Sequence, residues 1–341
     1  MIEMLEELKK RRWIIVSGKG GTGKTTLASS IGVKMAEDGK KALIVSLDPA
    51  HSLSDSLIYE IGHKITKIEN VSGELYALEF DIKQAFREEQ NRFKDVVSSE
   101  ELQSFGISED FLEMLSDVPT MPAEYFEGVG FIKLFSNIEQ SDFDIIVFDT
   151  APTGHTLKLL ELPEYLDTFI GKLLKFQLRF ASIFSSIKRF FGFGSKEDRS
   201  KIMLEFLEET QKIVKDVRTK LTNEKLTEFI VVGIPTIMSL MESIRLVTEL
   251  TFYRIPNNYI VINMVRIYGE DKCVFSKRMA QMHLNVLEEY MKEFPDKEIR
   301  VVPFFADEIR GVNKLKRVIE YLNNFTPKKA IEYIENSVTI E

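Results

Sequence analysis

The residues with the plainest chemistry lie between positions 18 and 25, where the chain reads Gly18-Lys19-Gly20-Gly21-Thr22-Gly23-Lys24-Thr25. The spacing G-x-x-x-x-G-K-[ST] closes a backbone loop around phosphate oxygens. Glycines let successive N–H groups converge on an anion, and a helix starting there adds its partial positive charge. Lys24 supplies a cation for the β- and γ-phosphates, and the Thr25 hydroxyl is suited to a Mg²⁺ ion beside them. Thr26 extends the same cradle. Lys19 is the unusual member, a charge at a position where most such loops need none. On its position alone it reads as a solvated surface lysine.

Two further loops carry carboxylates. The apolar run Ala42 to Leu47 empties into Asp48-Pro49-Ala50-His51-Ser52-Leu53-Ser54-Asp55, and Ile145 to Phe148 into Asp149-Thr150-Ala151-Pro152-Thr153-Gly154-His155-Thr156. Ligands of open α/β sheets bind beyond the carboxyl ends of strands, where both loops belong. Asp149 is the expected Mg²⁺ carboxylate, directly or through water. Asp55, by its position, reads as a helix N-cap before Leu57 and Ile58. His51 and His155 occur singly, without Cys or Glu at ligand spacing, and read as loop hydrogen-bonders.

These residues need a scaffold, and the pattern supplies one. Trp13 to Ser17 is an apolar run before the glycine loop, and Thr25 to Glu37 then shows helical spacing at Leu27, Ile31, Met35 and Ala36. With the runs at 42–47, Leu75 to Phe80, 145–148, Phe229 to Val232, Tyr259 to Ile262 and Ile299 to Val302, the expectation is an α/β fold. It is a mostly parallel P-loop NTPase sheet with helices on both faces and an inserted α-helical subdomain. The expected organisation is an ATPase core over 1–85, a helical insertion over 86–140 and core again over 141–160. A second insertion over 161–227, core over 228–325 and a tail over 326–341 complete it. That tail, with apolar Ile331, Tyr333 and Ile334, reads as a short helix or a frayed end.

At 341 residues with 44% hydrophobic content the chain can bury a full core, and its net charge of −8 argues against nucleic acid as a partner. A single cysteine, Cys273, excludes an intrachain disulfide framework or a multi-cysteine metal site built from one chain. The first residues mix Glu with Lys and Arg and lack an apolar centre, so no signal or transit peptide is expected there. No run of roughly 18 apolar residues appears, so a cytoplasmic protein without a transmembrane helix is expected.

Together the glycine loop with Lys19, Asp48 to Asp55, and Asp149 to Leu157 resemble the deviant P-loop ATPases, specifically the family of arsenical-pump and tail-anchored-protein targeting ATPases. The resemblance covers nearly the whole chain. It implies ATP and Mg²⁺ as cofactors and a homodimer, or a higher oligomer, in which Lys19 reaches the partner's phosphates. It implies switch I at Asp48 to Asp55, with Asp48 near Mg²⁺ and Asp55 activating water, and switch II at Asp149 to Leu157. It also implies adenine recognition by Asn263, Pro303 and Phe304.

The family leaves two main functions open. An arsenite pump subunit collects As(III) on several thiols, which one cysteine cannot supply. A targeting factor shields a client transmembrane helix and hands it to a membrane receptor or surface. The segment Leu166 to Phe193 favours the second reading: it is rich in phenylalanine at helical spacing, and from Thr168 to Lys196 it has no Asp or Glu but carries Lys172, Lys175, Arg179, Lys188, Arg189 and Lys196. Such a segment could line a groove for a helix, touch a membrane, or pack as an ordinary core helix. A partition ATPase is a third option, but residues 328–341 form neither a basic face nor a clear amphipathic anchor. Many targeting ATPases share a zinc through Cys-x-x-Cys, whereas here the sequence is Cys273-Val274-Phe275-Ser276. Two thiolates per dimer fall short of the usual four N/S ligands, and His283 is a remote candidate to complete them, so no zinc is expected.

Overall fold

The structure is a computed structural model and describes residues 3–47, 52–80, 134–150, 212–213, 215–267 and 274–338. Short runs of valine, isoleucine and leucine become the strands β1 (Trp13–Gly18), β2 (Ala42–Ser46), β4 (Leu75–Glu79), β5 (Ile145–Asp149), β6 (Thr227–Gly233), β7 (Tyr259–Val265) and β8 (Glu298–Pro303). They hydrogen-bond in the order β3-β4-β2-β5-β1-β6-β7-β8, every pairing parallel except that of β3 (Thr66–Ile68) with β4. β1, β2, β5 and β6 are buried along their whole length, as a parallel sheet covered on both faces requires. β3 was not expected. Three residues, two of them partly or fully exposed, are too few to show alternation.

Side-chain alternation divides the sheet between two helical layers. Ile14, Val16, Ile44, Ala77, Ile145, Val147, Ile230 and Val261 join a cluster with Leu5 and Leu8 of α1 (Met4–Leu8), Leu27 and Ile31 of α2 (Lys24–Glu37), and Leu315 and Leu322 of a helix over Val312–Asn324. The alternate residues face the other way. Trp13 stacks on Phe148 with centroids 5.9 Å apart, and the helix Ile237–Phe252 packs on β1 and β6. Two-sided burial of this kind makes a rigid base for loops at the carboxyl edge of the strands.

The tail resolves into a helix over Pro327–Val338, not a frayed end. Ala330 and Ile334, four residues apart, form its buried stripe, while Tyr333 is 55% exposed. By contact, the chain divides into two compact units. One comprises Met1–Ala85, Ser141–Thr156 and Leu221–Glu341, and the other Phe86–Gln140 and Leu157–Lys220. The Phe-rich segment 166–193, most of the 86–140 insertion and Cys273 lie outside the described residues.

His283, on the helix Val274–Glu293, is 5% exposed, and its Nδ1 accepts the Arg266 backbone N–H at 2.9 Å. An internal hydrogen bond therefore occupies this nitrogen. Burial, helped by the Arg266 charge, pushes the imidazole from 6.5 down to about 4. With the folded value below the unfolded one, the neutral ring's stabilisation is intact above about 6.5 and is lost as pH falls toward about 4. The melting temperature of the native chain is therefore expected to fall more steeply between pH 7 and pH 4 than that of His283→Gln. Parallel thermal melts across that range check this, and identical slopes would refute it.

Candidate nucleotide site

β1 is central, hydrogen-bonded on one side to β5 and on the other to β6, and the glycine loop leaves it at Gly18. Gly18 lies opposite Val232, and a Cβ there would sit 2.1 Å from the Val232 carbonyl oxygen. Any side chain would force β1 and β6 apart. Gly18→Ala is expected to lower stability by about 1–3 kcal/mol, the usual range for overpacking, and to weaken ATP binding. A shift of the urea midpoint together with a binding titration tests both.

The loop then folds on itself. The Lys19 carbonyl accepts the Thr22 hydroxyl at 2.9 Å and the Lys24 ammonium at 3.2 Å, so the backbone of Lys19 is fixed while its side chain is exposed. Thr22 and Lys24 are buried, whereas Gly20 and Gly21 face solvent. Gly23 begins α2 at φ 87°, a left-handed conformation that favours glycine, and a Cβ there would meet Asn263 Nδ2 at 2.3 Å. The approach is that close because Asn263 Nδ2 donates to the Thr22 carbonyl at 2.9 Å, while Asn263 Oδ1 accepts the Met264 N–H, also at 2.9 Å. Asn263 was expected to face adenine. Its amide also ties β7 to the phosphate loop. Pro303 pairs with Val265, and Phe304, 55% exposed, donates its N–H to the Val265 carbonyl, so Asn263, Pro303 and Phe304 share one corner of the sheet.

The oxygen donors converge at Thr25, the second residue of α2. The Thr25 hydroxyl donates to Asp149 Oδ2 at 2.7 Å and lies 3.1 Å from Ser52 Oγ, and Ser46 Oγ donates to the same carboxylate oxygen at 3.3 Å. Asp149 is fully buried, at the position on β5 directly opposite Ser46 of β2. Hydroxyl and carboxylate oxygens suit a small hard cation such as Mg²⁺. Thr25 and Asp149 thus lie side by side, with Thr26 half-buried beside them on α2, while Asp48 lies outside the described residues.

Asp55 lies inside the helix α3 (Ser52–Leu57), so it is not that helix's N-cap. Its carboxylate is 77% exposed and faces Arg310, whose Nη2 is 3.4 Å from Oδ1 and whose Nε donates to the Asp55 carbonyl at 2.9 Å. The Gly311 N–H donates to the Ser56 carbonyl at 2.8 Å, and Ser56 Oγ donates to Ser29 Oγ of α2 at 3.0 Å. α3 is therefore clasped between α2 and the loop after β8. Sequence reasoning missed Ser46, Ser52 and Arg310. Ser46 was detectable as the strand-end partner of Asp149. Nothing in the sequence shows that Arg310 reaches back across 255 positions to Asp55.

Residues 11–324 match the family model described as anion-transporting ATPase. The chain belongs to the anion-transporting ATPase family. It is 33% identical over 312 residues to the ATPase ASNA1 homolog 1 of Paramecium tetraurelia, covering 91% of this chain and 92% of that one. It is 34% identical to the ATPase GET3B of Arabidopsis thaliana over 90% of this chain and 77% of the relative. With the ATPase GET3 of Podospora anserina it shares 29% identity, over 94% and 93% of the two chains. As a member of the anion-transporting ATPase family the chain is an ATPase, and the oxygen cluster at Thr25 and Asp149 fits the Mg²⁺ that such chemistry uses.

Proposed function

We propose that this ATPase works as a cytoplasmic homodimer that captures the transmembrane helix of tail-anchored proteins and releases it to a membrane receptor or surface after hydrolysis. The observation that carries the ATPase half is the Thr25 hydroxyl on Asp149 Oδ2 at 2.7 Å, directly after the glycine loop. There Thr25 and Asp149 would hold Mg²⁺, with Asp48 reaching it through water, and Lys24 would neutralise the β/γ-phosphates. When bound, the metal would offset charge on the transferring phosphoryl group. Asp55 accepts a hydrogen bond from the attacking water, and Lys19 crosses to the partner's nucleotide. Asn263, Pro303 and Phe304 border the base.

The client half rests on the resemblance to tail-anchored-protein targeting ATPases and on the phenylalanine-rich sequence 166–193, which from Thr168 onward has no Asp or Glu. Residues 86–140 and 161–227 are the proposed client-binding insertions. Among the described residues no helix is long and apolar enough to cross a membrane, which suits a factor that shields another protein's helix. The test is direct: purified protein with Mg²⁺ and a non-hydrolysed ATP analogue should keep a C-terminal transmembrane segment soluble, and ATP turnover should release it. Aggregation of the segment in both states sinks the targeting reading.

The family description keeps the pump reading in play. A clear rise in ATPase rate on adding arsenite or antimonite would favour it, although one cysteine cannot form a three-thiolate site alone.

A further inference from the structure

Glu79 ends β4 and is 3% exposed, a carboxyl group inside the protein at the same edge of the sheet as the phosphate loop. Its position is not arbitrary. Glu79 pairs with Ser46 of β2, and Ser46 pairs with Asp149 of β5, so the three residues form one row across adjacent parallel strands. Residues paired in this way point to the same face. Ser46 and Asp149 turn toward Thr25, and Glu79, at the outer end of the row, turns toward α3.

What it does there is specific. Glu79 Oε1 accepts the Ser54 backbone N–H at 2.9 Å, one residue before Asp55. Behind this contact the strand end is itself braced: the Glu79 N–H donates to the Gly62 carbonyl at 3.2 Å, and His63 Nδ1 lies 3.1 Å from the Glu79 carbonyl oxygen. Ser54 Oγ closes the frame with the backbone of Ile61, at 3.2 Å to its carbonyl and 3.3 Å to its N–H. A buried carboxyl is costly unless hydrogen bonds compensate it, and packing alone would be served better by an apolar side chain.

We infer that Glu79 is a positioning residue for hydrolysis, fixing the first turn of α3 so that Asp55 is held at the reach of the attacking water. It acts through the Ser54 N–H and touches neither nucleotide nor metal. Rate then depends on Glu79 because small displacements of a catalytic group are expensive in the transition state, whereas ATP affinity, set by the glycine loop, does not.

The inference rests on the reading of Asp55, and the experiment separates the two. Glu79→Met keeps length and volume but removes the acceptor, and Glu79→Gln keeps an acceptor oxygen. Phosphate release is measured for both, for Asp55→Asn, and for Asp55→Asn combined with Glu79→Met. Glu79→Met is expected to lose about tenfold in kcat with KM for ATP within about twofold, and Glu79→Gln to stay within about threefold of the native kcat. The double variant is expected to be no slower than Asp55→Asn alone, since both act on one step. Unchanged kcat in Glu79→Met, a parallel rise in KM, additive losses in the double variant, or loss of the melting transition in Glu79→Met overturns the inference. If Asp55→Asn itself keeps native kcat, the Asp55 reading fails and this one with it. An inactive Asp55→Asn beside an active Glu79→Met sinks only the role of Glu79.

Discussion

Asp55→Asn is expected to lower kcat for ATP hydrolysis by about 10²–10⁴-fold, the range for removing a positioned general base, with little change in KM. The substitution keeps size and one oxygen but removes the charge that accepts a hydrogen bond from water. Geometry supports a selective effect. Asp55 projects from α3 with its carboxylate 77% exposed, away from the carbonyl and hydroxyl contacts that shape the glycine loop. Stability should hardly move, because the Arg310 partner is 40% exposed and sits at 3.4 Å, and exposed ion pairs of that kind contribute little. Steady-state phosphate release, nucleotide titration and a thermal melt on one preparation check all three parts. A variant that keeps native kcat removes Asp55 from the mechanism.

Lys19→Ala should have a comparable effect with a different signature. A cation supplied in trans to the transferring phosphoryl group contributes about 10³–10⁵ in kcat where it has been removed from related chemistry. Here the Lys19 backbone is pinned by Thr22 and Lys24 while its side chain stands in solvent, free to serve a neighbour. Nucleotide binding by Lys19→Ala should therefore survive. Mixing it with Asp55→Asn decides the geometry: in a mixed dimer one site receives an intact Lys19 from its partner and keeps its own Asp55. Random 1:1 assortment makes half the dimers mixed, each with one working site, so about a quarter of native activity should return. If the mixture stays as inactive as its components, Lys19 does not act across a dimer.

How much of this was legible in the sequence depended on the range of the interaction. β1, the glycine loop and α2 were readable because all three are contiguous and each carries its own period. The meeting of Thr25 with Asp149 was readable as chemistry, since loop and strand-end aspartate are separately diagnostic, although 124 positions separate them. The clasp on α3 was not. Arg310, Gly311 and Ser29 have no pattern that announces a partner; their contacts follow from the order in which the strands stack. The short helix α3 was equally hidden, because Ser52-Leu53-Ser54-Asp55-Ser56-Leu57 has only two apolar residues to show a period. The amide chemistry of Asn263 is visible in the sequence, but the two hydrogen bonds that use it appear only in three dimensions.

Those two bonds have a consequence for product inhibition. Because Asn263 joins β7 to the carbonyl of Thr22, the glycine loop is tied to the sheet by an internal hydrogen bond, which lowers the ordering entropy it loses when it closes on phosphates. ADP presents the same α- and β-phosphates as ATP to that loop. On the proposed mechanism ADP should therefore compete with ATP for the glycine loop, which a titration of ATPase rate against added ADP checks.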